Sequence, residues 1–184
     1  MSTIIISGQP GAGSSTTAKL LARALGLKHW SAGDYLKQFG SSEKETERAV
    51  EAMKSGQTAM REFHVSLDEK VVEIAKAGNV VIDGKLAIHF AKKYADFTIW
   101  VKCPTAVRAE RIAQRDRVSI TEAGKVLIEK ESLERSKFKE FYGFDPFDQA
   151  GQADLVIDTS IAPPEKIVEK ILDTLKKNKI VNKK

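Results

Sequence analysis

The sequence predicts an α/β fold, a parallel five-stranded sheet covered by helices on both faces. Three observations predict it. Short β-branched apolar runs alternate with segments of helical composition along the 184 residues. The runs ending in Ser7, Asp83 and Asp158 each place a polar residue before a loop, where open α/β sheets hold ligands. The first run also passes through a glycine-rich loop straight into a helix.

That first passage organises the rest. Ile4-Ile5-Ile6 reads as a strand within Thr3–Ser7, Gly8-Gln9-Pro10-Gly11-Ala12-Gly13 as a loop, and Ser14-Ser15-Thr16-Thr17-Ala18-Lys19-Leu20-Leu21 as the start of a helix. Glycines let backbone N–H groups close around an anion at a helix N-terminus. The spacing is that of a P-loop NTPase: Gly8 and Gly13 fit the glycines, and Ser15 fits the hydroxyl that meets magnesium. Position 14 departs from it, with serine where the pattern asks for lysine. A plain βα turn is the alternative. A dinucleotide fingerprint fits poorly, because Thr16 stands where its third glycine would be.

Gly26 reads as a helix C-cap and Lys28–Trp30 as a short strand. Ser31-Ala32-Gly33-Asp34 opens the next helix, either as simple capping or as part of a site. Ser41 to Ser55 is charged and poor in large hydrophobes, as expected of a solvent-covered helical insert. From Ala59 to Ala77, Phe63, Leu67, Val71 and Ile74 recur at helical spacing, which leaves Arg61, His64 and Asp68 off the stripe and His64 expected at the surface or rim. The strand Asn79–Asp83 delivers Asp83-Gly84-Lys85. Asp83 would face magnesium or its water shell, or else cap a helix, and Lys85 could hold a substrate phosphate.

Phe97–Lys102 is the fourth strand. Arg108, Arg111 and Arg115 then share one helical face, either clamping phosphates or lying solvated. Ser119-Ile120-Thr121-Glu122 is a second capping box, opening a charged helix to about Tyr142 that carries Arg135, Lys137 and Lys139. Gly143-Phe144-Asp145-Pro146 forms a turn, Asp154–Asp158 the last strand, and Pro163-Pro164 begins the closing helix. The loop Thr159–Ala162 would lie beside the glycine loop, where a nucleotide base could rest.

The composition bounds the class. One domain spanning 1–184 is expected, with no repeat or linker, and no apolar run approaches the ~20 residues that cross a bilayer. The lone Cys103 excludes an internal disulfide and reads as a half-buried structural thiol. The first strand leaves no room for a leader, so a cytoplasmic location is expected. A net charge of +5 favours anionic partners, but part of it lies in the tail Lys176–Lys184, read as a frayed, solvated end with weak support for nucleic-acid binding. The expected form is a monomer.

Taken together, the chain resembles the nucleoside monophosphate kinases, most closely the archaeal-type cytidylate kinases. The resemblance covers nearly the whole chain through Gly8–Gly13, Ser31–Asp34, Gly78–Ala87, Val107–Arg115, Glu134-Arg135, Lys139–Asp145 and Asp154–Ser160. It implies ATP- and Mg2+-dependent phosphorylation of a pyrimidine nucleoside monophosphate, CMP or dCMP. Gly8, Gln9, Pro10, Gly11, Ala12, Gly13, Ser14, Ser15 and Thr16 would hold ATP, with Ser15 on the metal. Ser31, Asp34 and Lys85 would border the monophosphate, with Asp34 and Asp83 turned to the metal through water. Arg111, Arg115 and Arg135 would neutralise the transferring group. A monophosphate-binding helical region would span about 35–75 and a lid about 111–140.

Ser14 and Lys85 depart from the family pattern. A hydroxyl cannot neutralise phosphate, so another cation must act, and Lys85 is a candidate. Lysine at 85 also lacks the fork of the arginine usual there. Rival readings are a kinase for AMP or UMP, a non-catalytic nucleotide sensor or RNA-associated module, and a kinase of a non-nucleotide alcohol.

Overall fold

The structure, a computed structural model, describes residues 2–36, 61–181 and positions 47, 50, 51 and 54. Its sheet has five parallel strands: β1 (Thr3–Gly8), β2 (Lys28–Ser31), β3 (Val80–Asp83), β4 (Phe97–Lys102) and β5 (Leu155–Asp158), in the order β2-β3-β1-β4-β5. The described helices of four or more residues are α1 (Ser14–Leu25), α2 (Ala32–Leu36), α3 (Arg61–Ala77), α4 (Ala87–Ala91), α5 (Thr105–Asp116), α6 (Ile120–Tyr142) and α7 (Pro164–Lys177). β1 is central, pairing Ile5 with Ile82 on one side and with Thr98 on the other.

Side-chain alternation divides the core between the two sheet faces. Ile4 and Ile6 point with Val81, Ile99 and Val101 toward Leu21 of α1 and Ile171 of α7. Ile5, Val80, Ile82 and Trp100 point the other way, toward Val71 of α3 and Ile88 of α4. A near-continuous β-branched strand is what burial on both faces requires. Parallel pairing brings the C-terminal ends of β1 and β3 to one edge, with Ile6 beside Asp83.

Glycine and serine caps set the helix ends as expected. Gly26 and Gly143 terminate α1 and α6 in the left-handed region, at φ 67° and 77°. Ser119 Oγ accepts from Glu122 N at 3.1 Å at the start of α6.

Three expectations change. The inward face of α3 is His64, Leu67, Val71 and Ala75, one residue round from the expected stripe, with Phe63 and Ile74 only partly buried. His64 is therefore not at the surface: it is 3% exposed, packed edge-on against Phe63 and Phe138 and tilted against Phe141. Aromatic rings from α6 supply the apolar environment that α3 alone did not suggest. Near the C-terminus, Ile180 and Val181 pack against the first core and Ser2 Oγ donates to Ile180 O at 3.1 Å, so the chain is docked through 181. Most of the insert Ser41–Ser55 lies outside the described residues; within it Val50 is buried and Lys54 pairs with Glu129 at 2.6 Å.

Candidate functional site

The glycine loop has the geometry of an anion cradle. Gly8 presses against β4, where a Cβ would come within 2.6 Å of Val101 O. Gly11 and Gly13 take φ of 76° and 91°, a region that L side chains rarely adopt. Ala12 N donates to Gln9 O at 3.0 Å, closing the turn, and α1 begins at Ser14 with no acidic residue in its first turn. The N-terminal end of a twelve-residue helix therefore meets the loop without a carboxylate to oppose an anion.

Asp83 is the hub beside it. Ser15 Oγ donates to Asp83 Oδ2 at 2.5 Å and Ser31 Oγ donates to the same oxygen at 3.1 Å. Burial pushes the Asp83 carboxyl up, opposed by hydroxyl donation from Ser15, Ser14 and Ser31. Ser31 serves both readings of its segment, since its Oγ also accepts from Asp34 N at 3.2 Å. Asp34 turns toward Lys19, 3.7 Å away. A hydroxyl and a carboxylate sharing 2.5 Å suit a hard oxygen-seeking cation. Among the described residues no group of three or more His, Cys, Asp or Glu could hold a metal, so such a cation would complete its shell from phosphates and water, as magnesium does.

A cavity of about 820 Å³ runs across this floor. Its lining falls on two sides of the loop that follows central β1, as two arms: Thr159, Ala162, Pro163 and Pro164 after β5 on one, and Leu67, Asp68, Val71, Leu86 and Phe138 on the β3 side on the other. Thr159 fixes the first arm, donating from Oγ1 to Ala12 O at 2.6 Å, as expected of a loop beside the glycines. Ala32 and Gly33 line the cavity, whereas Ser31 acts from behind through Asp83.

The arginines that share a helical face divide by depth. Arg108 is 2% exposed, donating to Cys103 O and Pro10 O at 3.1 Å each and pairing with Glu131. It braces the glycine loop from beneath, so phosphate clamping is corrected for this residue: its donors are committed to the fold. Arg111 lines the cavity, donating to Thr159 O at 2.7 Å, Thr159 Oγ1 at 3.0 Å and Ala12 O at 3.4 Å. These partners are neutral, and its Nη1 lies 3.7 Å from where a Cβ on Gly13 would stand. Arg115 also lines the cavity and donates to Asp116 at 2.8 Å. Arg135 does not: it pairs with Asp145 over the Phe147 ring, in a separate groove with Ser136 and Lys139.

Lys85 lines the cavity but is paired with Glu134 of α6, and burial draws its ammonium down to about 8 despite that carboxylate. The Lys85 charge is thus already met, which weighs against it as the substitute for a lysine at 14.

Sequence reasoning missed Asp68 and Tyr142. Asp68 lines the second arm, with Tyr142 donating to its Oδ2. Burial pushes this carboxyl up to about 7 against the tyrosine's donation. No local signal pairs them, since 74 residues separate the two.

Comparison with known proteins places these features in context. Residues 3–161 match the model of the cytidylate kinase-like family. The chain is 39% identical over 184 residues to a cytidylate kinase of Methanocaldococcus jannaschii, covering 95% of this chain and 99% of that one. It is 36% identical over 173 residues to a cytidylate kinase of Ignicoccus hospitalis, covering 93% and 97%. Among solved structures, a shikimate kinase of Acinetobacter baumannii in complex with shikimate superposes with a TM-score of 0.64 at 16% identity, over 98% of this chain and 96% of that one, a likeness of fold.

Proposed function

The chain belongs to the cytidylate kinase-like family and is a phosphotransferase, and from that premise we propose that it moves the γ-phosphoryl group of ATP onto the phosphate of CMP or dCMP. ADP and CDP or dCDP are the products. The observation that carries the reading is the two-armed cavity with the glycine loop and Asp83 at its junction. In-line transfer needs donor and acceptor to meet from opposite sides of one phosphoryl group, and such a cavity supports that arrangement.

Each group has a proposed part. The N–H groups around Gly8, Gln9, Pro10, Gly11, Ala12, Gly13, Ser14, Ser15 and Thr16 cradle the ATP phosphates, and the base rests toward Thr159–Pro163. Ser15, with Asp83 and Asp34 through water, would hold magnesium, which when bound neutralises phosphate charge. Asp83 keeps the Ser15 and Ser31 hydroxyls in register. Arg111 and Arg115 supply positive charge against the negative charge on the transferring phosphoryl oxygens. Lys85 and the Ser31–Asp34 turn border the acceptor phosphate.

The region about 35–75 is proposed as the monophosphate-binding part and about 111–140 as the lid. Closure of α5 and α6 over the cavity would exclude water and protect the phosphoryl group from hydrolysis. Arg135 joins the site only if that closure breaks its pair with Asp145. The proposed working form is a cytoplasmic monomer; no described helix is long and apolar enough to cross a membrane.

The test is ADP release with ATP and magnesium, offering CMP, dCMP, UMP and AMP separately. Turnover with CMP and dCMP supports the reading. Turnover only with UMP or AMP moves the chain to another base, and none with any acceptor despite ATP binding favours a sensor.

A further inference from the structure

The second cavity arm holds a carboxyl group, that of Asp68, which the proposed phosphate-transfer roles leave unused. Asp68 stands on the face of α3 that also carries His64, Leu67 and Val71, and Leu86 and Phe138 complete the walls. Lys85, Lys130, Glu134 and His64 also line the cavity, but Lys85 and Glu134 are paired with each other, so the Asp68 carboxyl among Leu67, Val71, Leu86 and Phe138 suits a flat heterocycle that is read along one edge.

We propose that Asp68, ordered by Tyr142, reads the amidine edge of the acceptor base, the ring nitrogen and exocyclic amine that cytosine presents and uracil does not. The proposal rests on the monophosphate kinase reading and names the group that would set its base preference.

The hydrogen-bond chemistry runs as a chain of donors. Tyr142 O–H donates to Asp68 Oδ2, so that oxygen is an acceptor in the pair. A neutral Asp68 then carries its proton on Oδ1 and offers a donor and an acceptor side by side. The cytosine ring nitrogen accepts from Oδ1–H, and its amine donates to the remaining lone pair of Oδ2. Uracil in the same pose sets N–H against O–H and carbonyl against carboxyl oxygen, leaving buried polar groups unpaired. Adenine shares the amidine edge, so the edge separates cytosine and adenine together from uracil.

The neutral acid this needs is within reach at physiological pH. Burial holds the carboxyl at about 7, and burial pushes the Tyr142 hydroxyl well up as well, so it stays a donor. The other titratable or charged groups around this arm are His64 and Arg61 on α3, Lys85 after β3, and Glu134 and Lys130 on α6. Lys85 and Glu134 satisfy each other, and Arg61 Nε donates to Phe141 O at 3.3 Å.

The test uses the full chain with steady-state kinetics in CMP, UMP and AMP. Asp68→Ala should raise KM for CMP about 100-fold, two hydrogen bonds at about tenfold each, with KM for ATP unchanged. Asp68→Asn keeps a donor and an acceptor, so it should hold KM within about fivefold of wild type. It should also remove the rise in wild-type KM above pH 7. Tyr142→Phe should narrow the preference for CMP over UMP at least tenfold. An unchanged KM for CMP in Asp68→Ala, or a pH-dependent KM persisting in Asp68→Asn, would overturn the proposal while leaving cytidylate turnover intact. If the wild type instead uses AMP and not CMP, the cytidylate reading fails separately, and the lesion of Asp68→Ala should then fall on KM for AMP.

Discussion

If Arg111 supplies the cation that Ser14 lacks, removing one and restoring the other should compensate. The Arg111 guanidinium spends its donors on Ala12 O and on Thr159, all neutral, with one nitrogen beside the Gly13 position of the loop. A unit charge about 4 Å from a phosphate oxygen at an effective dielectric of about 20 amounts to about 4 kcal/mol. Arg111→Ala should therefore lower kcat/KM about 10³-fold, at about 1.4 kcal/mol per decade. Ser14→Lys places an ammonium on the loop itself and should recover at least about tenfold in the Arg111→Ala background, while changing the wild type little. The assay is ADP release at saturating acceptor across ATP concentrations. Thr159→Val, which keeps the charge but loosens its seat, should fall between. A loss below tenfold in Arg111→Ala would refute the reasoning. So would a double variant no faster than Arg111→Ala, which would assign the loss to a disturbed loop.

Two further predictions concern stability. Arg108→Ala strips partners from Glu131, Pro10 O and Cys103 O in a buried setting, and should cost about 3–5 kcal/mol in urea melts, whereas Arg115→Ala should slow turnover at nearly unchanged stability. Asp68 has its carboxyl raised from 3.8 to about 7, so its contribution is fully present below about pH 4 and is lost as pH rises through 7. Asp68→Asn should thus be more stable than wild type at pH 8 by a few kcal/mol, and the gap should shrink toward pH 5 in paired urea melts.

β1, β3, β4 and β5 were legible because each is a run rich in β-branched residues and bounded by turn residues; Phe97–Lys102 stands as expected to the residue. Their order was not, because adjacency depends on crossovers and leaves no local pattern. The junction of loop and carboxylate was legible from Ser15 and Asp83, whose 2.5 Å contact realises a spacing pattern. Spacing placed Arg108, Arg111 and Arg115 on one face, but depth separates them: α6 covers Arg108 with Glu131 and leaves Arg115 half-exposed. His64 was misplaced and Asp68 passed over as a site residue for one reason. Their partners Phe138, Phe141 and Tyr142 arrive from α6, a fold-level contact that helix periodicity does not carry.

The central claim is transfer between two nucleotides, and following the γ-phosphoryl group tests it most directly. ATP labelled at the γ position is incubated with the protein, magnesium and CMP, and the label is traced by chromatography. The account predicts label in CDP at a rate matching ADP release, with little free phosphate while acceptor is present. Label released as inorganic phosphate at the same rate with and without CMP would contradict it, leaving the loop as a hydrolytic or sensing site.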